Sequence, residues 1–181
     1  MELGCGTGLA SIAASLLGAT RVLATDGNPN VIELAQQNVN RNQVQQKVEP
    51  TLLSWGFLNA CDYAETADLV IGSDLTYNSG TWRLLAETVS TVVKPGGMVL
   101  YLTLGHAGFN VEGELRGFLS VVQSEAQLKI ITEREAAAAA PFPLNNLSQT
   151  LLDTIKTPQE QSVLDGTGGV RVVLLFKPKL L

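Results

Sequence analysis

The chain has 181 residues, of which 45% are apolar and 16% are charged, a composition typical of one globular domain and unlike that of a disordered chain. Its net charge of −5 argues against nucleic acid as a partner, because nucleic-acid-binding domains usually carry a basic face. The longest apolar runs are far shorter than a membrane span, so we expect no membrane partner and a cytoplasmic or nuclear location.

Strands and helices alternate in the first part of the chain. After a glycine-rich turn, a helix is predicted at residues 9–17 and a short apolar strand at 21–25. Asn28-Pro29 is typical of the start of a helix, since Asn caps the first turn and Pro fits within it. The apolar residues of that helix fall on one face, namely Val31, Leu34, Ala35 and Val39. The next predicted strand covers residues 48–53.

The alternation continues through the rest of the chain. The predicted strand at 67–73 is apolar almost throughout, as expected of a parallel strand buried on both faces. Two helices follow, with apolar stripes of Trp82, Leu85, Ala86, Val89 and Val93 in the first, and Val111, Leu115, Phe118, Leu119 and Val122 in the second. Residues 94–97, Lys-Pro-Gly-Gly, predict the end of the first of these helices and a turn before a strand at 98–104. Residues 128–133 and 170–177 are predicted to be a closing pair of strands.

This order of elements predicts an α/β fold. Strand–helix alternation indicates a Rossmann-like, doubly wound, mostly parallel sheet with right-handed crossovers, in which ligands bind beyond the carboxyl ends of the strands. Residues 135–169 contain five consecutive alanines and three prolines, and we interpret them as a long connection with one helical turn near 147–155. We expect residues 1–181 to form a single domain.

The first turn, ELGCGTG at residues 2–8, has the pattern of a nucleotide-cofactor loop between a strand and a helix. Its three glycines let the backbone approach a ligand closely, and the helix behind directs its positive end there. The G-x-G-x-G spacing differs from the G-x-G-x-x-G that binds a dinucleotide pyrophosphate. Asp26, after the second strand, places a carboxylate where two vicinal ribose hydroxyls can donate to it. A tight turn without a ligand and a helix cap at Asp26 are the alternative interpretations.

Several motifs together resemble the seven-strand S-adenosylmethionine-dependent methyltransferases. They are ELGCGTG at 2–8, ATD at 24–26 and LVIGSDLTY at 69–77. LSWG at 53–56 and DLTY at 74–77 are similar to the L-x-W-G and D-x-x-Y motifs of the non-SET protein lysine methyltransferases of that fold. The resemblance covers roughly the first 104 residues by motif and the rest only by the order of elements. It implies S-adenosylmethionine as cofactor and a seven-strand sheet with an antiparallel last strand.

The resemblance also implies roles for eight residues. The cofactor-binding residues would be Glu2, Gly4, Gly6, Gly8, Asp26, Trp55 and Asp74. Among these, the glycines and Glu2 would frame the methionine part, Asp26 would hold the ribose, and Trp55 would pack against the adenine. Asp74 and Tyr77 would line the acceptor site as the catalytic residues. Core packing is the alternative interpretation of Trp55, since tryptophans usually bury much of their area.

The remaining candidate residues carry less information. Cys5 and Cys61 are too few for a disulfide framework and have no metal-ligand spacing, so we expect ordinary thiols and no metal. His106 follows a strand end, where a general base can lie, but nothing in the sequence pairs with it.

The function implied by the resemblance is methyl transfer to a lysine side chain of a protein. No N-P-P-Y-type motif follows the fourth strand, where enzymes that methylate nucleic-acid amines usually carry it, and this favours a protein acceptor. A small-molecule methyltransferase and an inactive or non-enzymatic cofactor-binding protein are the alternatives. Because the family usually carries a segment ahead of the first strand, we expect the chain to be N-terminally truncated relative to it.

Overall fold

The computed structural model of the chain describes residues 1–104, 111–126, 128–131 and 170–179. Its strands are β1 (Glu2–Leu3), β2 (Val22–Asp26), β3 (Val48–Leu52), β4 (Ala67–Ser73), β5 (Val93–Leu104), β6 (Lys129–Ile131) and β7 (Val170–Phe176). Its helices are α1 (Leu9–Leu16), α2 (Pro29–Arg41), α3 (Phe57–Ala60), α4 (Trp82–Val92) and α5 (Val111–Glu125), with 3-10 helices at Cys61–Tyr63 and Ser79–Thr81. Among the described residues, every helix is too short or too polar to span a bilayer. Outside the described residues lie the predicted connection at 135–169, its helical turn at 147–155, and His106.

The seven strands form one sheet in the order β3-β2-β1-β4-β5-β7-β6. Strands β1 to β5 are paired in parallel, and β7 runs antiparallel to both β5 and β6. The sheet confirms the predicted α/β class, a Rossmann-like, doubly wound and mostly parallel sheet with an antiparallel last strand. The strand order reverses at β1, which has β2 on one side and β4 on the other. Ligands of such sheets bind at this switch point, beyond the carboxyl ends of the strands.

Backbone pairing holds the short β1 in the centre of the sheet. Glu2 is in register with Ala24 of β2 and with Ile71 of β4. The Thr25 hydroxyl donates to the carbonyl oxygen of Glu2 at 2.7 Å, and the Cys5 N–H donates to the carbonyl oxygen of Thr25 at 2.8 Å. The loop that follows β1 therefore starts from a position fixed on both sides.

Apolar side chains pack in two clusters against the sheet. The smaller cluster joins β2 and β3 to α1 and α2, and its buried members are Cys5, Ile12, Val22, Ala24, Ala35, Val39, Val44 and Val48. The larger cluster joins β4 and β5 to α4 and α5. Within it, the rings of Tyr101 and Phe118 lie 5.6 Å apart between centroids, and Phe118 is 2% exposed.

The buried face of α2 differs from the predicted stripe. Ala35 and Val39 are fully buried as expected, but Leu34 is 41% exposed. Ile32, rather than Val31, packs against the smaller cluster. Since α2 packs against β2 and β3 at one end of the sheet, only a narrow strip of its surface is covered.

The predicted end of the helix is confirmed, since α4 ends at Val92, but residues 94–97 form an irregular stretch within β5 and not a turn before it. Pairing with β4 passes from Val93 directly to Met98. Val93, which the sequence places in the stripe of the preceding helix, is the first residue of β5. The Gly96 N–H donates to the carbonyl oxygen of Lys177 at 2.7 Å, and the Lys177 N–H donates to that of Gly97 at 3.2 Å. Gly96 has a φ of +84°, which glycine adopts without a Cβ clash. The glycines therefore allow an irregular stretch within a paired strand.

Replacement of Phe118 by Ala is expected to lower the free energy of unfolding by ~3–5 kcal/mol, because it leaves a cavity in the larger cluster. Phe57→Ala is the matched control, since it removes the same atoms from a side chain that is 58% exposed. It is expected to cost about 1 kcal/mol or less. Denaturant unfolding measures both values, and equal losses would contradict this account of the core.

Candidate functional site

Four loops meet at the carboxyl edge of the parallel strands. We name them the glycine loop (residues 4–8), the β2 loop (26–28), the β3 loop (53–56) and the β4 loop (74–77). They contain seven of the eight residues that the resemblance placed in a site, and the eighth, Glu2, lies in β1 just before the glycine loop.

The glycine loop turns sharply between β1 and α1. Gly4, Gly6 and Gly8 have φ values of +62°, +52° and +83°. At Gly4 a Cβ would overlap Cδ2 of Leu75, so glycine there allows the glycine loop and the β4 loop to pack together. At Gly6 a Cβ would meet no atom within 4 Å, so the backbone borders open space that a ligand can enter.

Asp26 connects the β2 loop to the glycine loop. Its Oδ2 accepts a hydrogen bond from the Gly6 N–H at 3.2 Å, and its Oδ1 accepts one from the Asn28 N–H at 3.0 Å. A carboxylate has about four acceptor positions, so two remain for hydroxyls of a ligand. The cap of α2 is Asn28, whose side chain accepts from the Asn30 N–H at 3.0 Å. The interpretation of Asp26 as the cap of that helix is therefore wrong.

Glu2 connects β1 to the start of α1. Its carboxylate, in a side chain that is 4% exposed, accepts hydrogen bonds from the backbone N–H of Ser11 at 2.8 Å and from the Ser11 hydroxyl. Burial raises the pKa of this carboxyl group, and the hydrogen bonds from Ser11 oppose the rise. A carboxylate also stabilises the N-terminus of a helix. Glu2 thus has a partner within the fold that the sequence did not indicate.

An asparagine of α2 supports the glycine loop as well. The Asn38 side-chain amide donates to the carbonyl oxygen of Thr7 at 2.9 Å. Within the loop, the Gly8 N–H donates to the carbonyl oxygen of Cys5 at 2.8 Å. Sequence reasoning missed Asn38, because it lies 31 residues from Thr7 in a polar stretch of the helix.

The β3 loop lies beside the β2 loop. The Leu53 N–H donates to the carbonyl oxygen of Asp26 at 2.9 Å, and the Gly56 N–H donates to the hydroxyl of Thr88 in α4 at 2.7 Å. Trp55, between these two anchors, is half-buried and packs against the larger cluster. Core packing therefore accounts for part of the Trp55 side chain, and its contact with adenine stays a prediction.

The middle of the β4 loop is buried, and its two ends are more accessible. Leu75 and Thr76 are 7% and 2% exposed, whereas Tyr77 is 66% exposed. Asp74 is half-buried and has a φ of +58°, a region that few residues other than Gly, Asn and Asp adopt. The predicted catalytic residues Asp74 and Tyr77 are thus the parts of this loop that a partner can reach.

The two cysteines lie in different surroundings. Cys5, in the glycine loop, is buried, and this burial raises the pKa of its thiol to about 12. Cys61 is exposed in the 3-10 helix that follows α3. Among the residues that the structure describes, no group of three or more His, Cys, Asp or Glu side chains is placed to hold a metal ion.

Comparison with known proteins indicates one family. A family profile described as lysine methyltransferase matches residues 1–107, which include all four loops. Ribosomal protein L11 methyltransferase of Burkholderia orbicola is 32% identical over 99 residues, which cover 55% of this chain and 29% of that protein. Protein-lysine N-methyltransferase EFM3 of Chaetomium thermophilum is 36% identical over 102 residues, which cover 51% and 30%. The chain therefore spans less than a third of the length of these curated relatives.

Solved structures share the fold at low sequence identity. The [4+2]-cyclase SpnF is similar with a TM-score of 0.66 and 15% identity, over 99% of this chain and 75% of that one. At that identity the similarity shows the fold alone. The chemistry has to be inferred from the site, because one fold can carry unrelated activities.

Cys5 is expected to resist alkylation by iodoacetamide at pH 8 in the folded chain, because burial and the raised pKa suppress the reactive thiolate. The exposed Cys61 is the internal control and is expected to react at least ~100-fold faster. Pulsed alkylation followed by mass spectrometry measures both rates, and denaturant should make them similar. Comparable rates in the folded chain would contradict the burial of Cys5.

Proposed function

The chain belongs to the lysine methyltransferase family, and we propose that it transfers the methyl group of S-adenosylmethionine to a lysine side chain of a protein. The observation that carries this proposal is the convergence of the glycine loop, Asp26 and the β4 loop at the switch point of the sheet. All three lie within the residues that match the family. The names of two relatives support a protein acceptor, since they describe a methyltransferase of ribosomal protein L11 and a protein-lysine methyltransferase.

S-adenosylmethionine is the cofactor of this family, and the residues of the glycine loop fit it. Gly6 borders open space, so the methionine part can approach the backbone there. Gly4 and Gly8 give the loop its turn, and Glu2 fixes the helix behind it through Ser11. In this proposal these residues frame the methionine part through the shape of the loop.

The adenosine part fits the β2 and β3 loops. The two acceptor positions that remain on Asp26 suit the vicinal ribose hydroxyls. Trp55 is half-buried in the β3 loop, which Leu53 joins to Asp26, and has a ring that can pack on the adenine. When bound, the cofactor supplies an electrophilic methyl group on a positively charged sulfur. The carboxylates of Asp26 and Asp74 favour that charge.

The acceptor lysine has to lose a proton before it can attack. With an ordinary pKa of about 10.4, roughly one lysine in a few thousand is neutral at pH 7, which corresponds to ~4.6 kcal/mol. A carboxylate close to the amine raises its pKa, so Asp74 does not promote the deprotonation. Exclusion of water and a neighbouring positive charge lower the pKa of the amine again.

We therefore assign different roles to the two ends of the β4 loop. Asp74 captures the lysine ammonium and orients it, because opposite charges attract and a carboxylate accepts its hydrogen bonds. Tyr77, which is 66% exposed, lines the approach to the site and can hydrogen-bond the amine. Orientation is the main catalytic contribution, since the amine, the methyl carbon and the sulfur have to lie in line.

Exposed apolar side chains beside the site favour a protein as the acceptor. Phe57 and Leu58 follow the β3 loop directly and are 58% and 82% exposed. Leu84 of α4 is 43% exposed, and its Cδ2 would lie 3.4 Å from a Cβ at Gly56, so it adjoins the residue that directly precedes Phe57. Clusters of exposed large apolar side chains are typical of surfaces that bind proteins.

Incubation of the chain with labelled S-adenosylmethionine and a cell extract tests the proposed function. A labelled protein band that yields methyl-lysine on hydrolysis would support it. A labelled small molecule would contradict it in favour of a small-molecule methyltransferase. The absence of label, with cofactor binding verified by calorimetry, would indicate a non-enzymatic cofactor-binding protein.

Asp74→Ala is expected to lower kcat/KM for the protein acceptor by about 10- to 100-fold, the equivalent of ~1.5–3 kcal/mol for hydrogen bonds to a charged group. Asp68→Ala is the control, because Asp68 lies near the other end of β4 in an exposed ion pair with Lys94. It is expected to leave kcat/KM within about twofold. Unchanged methyl transfer by Asp74→Ala would remove Asp74 from the acceptor site.

Asp26→Ala is expected to weaken cofactor binding by ~1.5–3 kcal/mol, because the ribose hydroxyls lose their charged acceptor. Asp62→Ala, in the 3-10 helix after α3, makes the same change at an exposed aspartate and should leave the affinity unchanged. Isothermal titration calorimetry with S-adenosylmethionine measures both affinities. Undiminished affinity of Asp26→Ala would exclude Asp26 from the cofactor site.

A further inference from the structure

The buried middle of the β4 loop is held by a tyrosine of the neighbouring strand. Tyr101, in β5, is 3% exposed, and its hydroxyl lies between two residues of the loop. It accepts a hydrogen bond from the Leu75 N–H at 2.9 Å and donates one to the Thr76 hydroxyl at 3.0 Å. A single hydroxyl thus satisfies a buried backbone donor and a buried side chain of the same loop.

Two other hydrogen bonds join the β4 loop to the neighbouring elements β5 and α4. The Asp74 N–H donates to the carbonyl oxygen of Leu102 at 2.7 Å, and the Trp82 indole N–H donates to that of Thr76 at 2.8 Å. The φ of +58° at Asp74 lies in a sparsely populated region. A backbone conformation of this kind persists only where the surrounding structure imposes it. The bonds on Leu75 and Thr76, which follow Asp74 directly, contribute to that constraint.

The position of the phenol is itself fixed. Its ring packs against Phe118 at a tilt of 48°, and a Cβ at Gly72 would lie 3.2 Å from its Cδ2, so glycine in β4 leaves room for the ring. Burial raises the pKa of Tyr101, although the hydrogen bonds with the loop oppose the rise. The hydroxyl therefore keeps its proton at neutral pH, and with it the hydrogen bond that it donates to Thr76.

We propose that Tyr101 is a positioning residue of the methyl-transfer site, whose hydroxyl fixes the backbone from which Asp74 and Tyr77 reach the acceptor lysine. This inference rests on the proposed function. Tyr101 acts through the loop and not by contact with the reacting atoms, since it is buried below Leu75 and Thr76. A misplacement of about 1 Å at a site of this kind can lower the rate ~100-fold.

Tyr101→Phe tests the proposal, because it removes only the hydroxyl and leaves the ring against Phe118. We expect kcat for the protein acceptor to fall by about 10- to 100-fold. The Kd for S-adenosylmethionine should change less than kcat, by about threefold or less, because Asp74 is the one proposed cofactor-binding residue in this loop and the ribose and methionine contacts lie in the other loops. Amide exchange in the segment 74–77, followed by mass spectrometry, should become at least about tenfold faster.

Tyr63→Phe is the matched control. Tyr63 is a half-buried tyrosine in the 3-10 helix that precedes β4, whereas the β4 loop follows the other end of that strand. The substitution makes the same chemical change, and kcat, Kd and the exchange of residues 74–77 should all stay within about twofold of the unmodified chain.

Thr76→Val gives an independent test that leaves the Tyr101 ring untouched. It removes the oxygen that accepts the hydrogen bond of Tyr101, at nearly constant side-chain size. We expect a lower kcat, and the double variant with Tyr101→Phe should show less than the product of the two single effects. Independent, multiplicative effects would contradict a shared action through this hydrogen bond.

Two results would overturn the proposal. In the first, Tyr101→Phe lowers the melting temperature but leaves both kcat and the exchange of residues 74–77 unchanged, as a purely structural role requires. In the second, Kd for the cofactor rises as much as kcat falls. If the unmodified chain methylates no protein, the proposed function fails, and the exchange measurement alone then decides whether Tyr101 fixes the loop.

Discussion

The pairing of β1 with β2 on one side and β4 on the other is the constraint on which the site depends. Parallel strands end at one edge of a sheet, so the loops after β1, β2 and β4 are neighbours whatever their sequences. Hydrogen bonds to Asp26 then join the β2 loop to the β3 loop, through the Leu53 N–H, and to the glycine loop, through the Gly6 N–H. The packing of Leu75 against Gly4 completes the series. Residues that are far apart in sequence thus meet because the strand order brings them together.

Buried polar contacts, and not surface ion pairs, give this edge its geometry. The carboxylate of Glu2 and the hydroxyl of Tyr101 each satisfy more than one buried partner, and losing such a group would leave those partners unpaired. By contrast, the Arg21–Glu49 pair has side chains that are 73% and 60% exposed, and pairs of that kind contribute little to stability. The shape of the site is therefore a property of the sheet and of the core beneath it.

Much of the fold could be predicted from local patterns. Most strands and helices of the described residues follow apolar periodicity and caps such as Asn28, but α3 and the two 3-10 helices were not predicted. The motif residues all lie at the edge where a doubly wound sheet binds ligands. Two further differences have a common cause. Gly96 and Gly97 lie within β5 and form hydrogen bonds with Lys177, about 80 residues away in sequence, and no local pattern contains that contact. The buried face of α2 likewise depends on where the helix crosses the strands.

The sequence predicts which residues lie together at the candidate site but not the contacts that they make. The glycines and Asp26 are recognisable because a ligand loop needs them at fixed spacing. Asn38 and Tyr101 are not, since an asparagine in a polar helix and an aromatic residue in a strand are ordinary until their partners are known. The partner of Glu2 was missed for a related reason, because its contact with Ser11 depends on how α1 turns back over β1.

The close approach of Gly4 to Leu75 has a mechanical consequence. Leu75 fills the space that any side chain at position 4 would need, so the two loops have no clearance between them. Leu75 is in turn bonded through its N–H to Tyr101, which packs on Phe118. Because close-packed interiors have low compressibility, a displacement of the glycine loop toward the β4 loop is resisted at Leu75. Any side chain introduced at position 4 would therefore have to displace the Leu75 side chain.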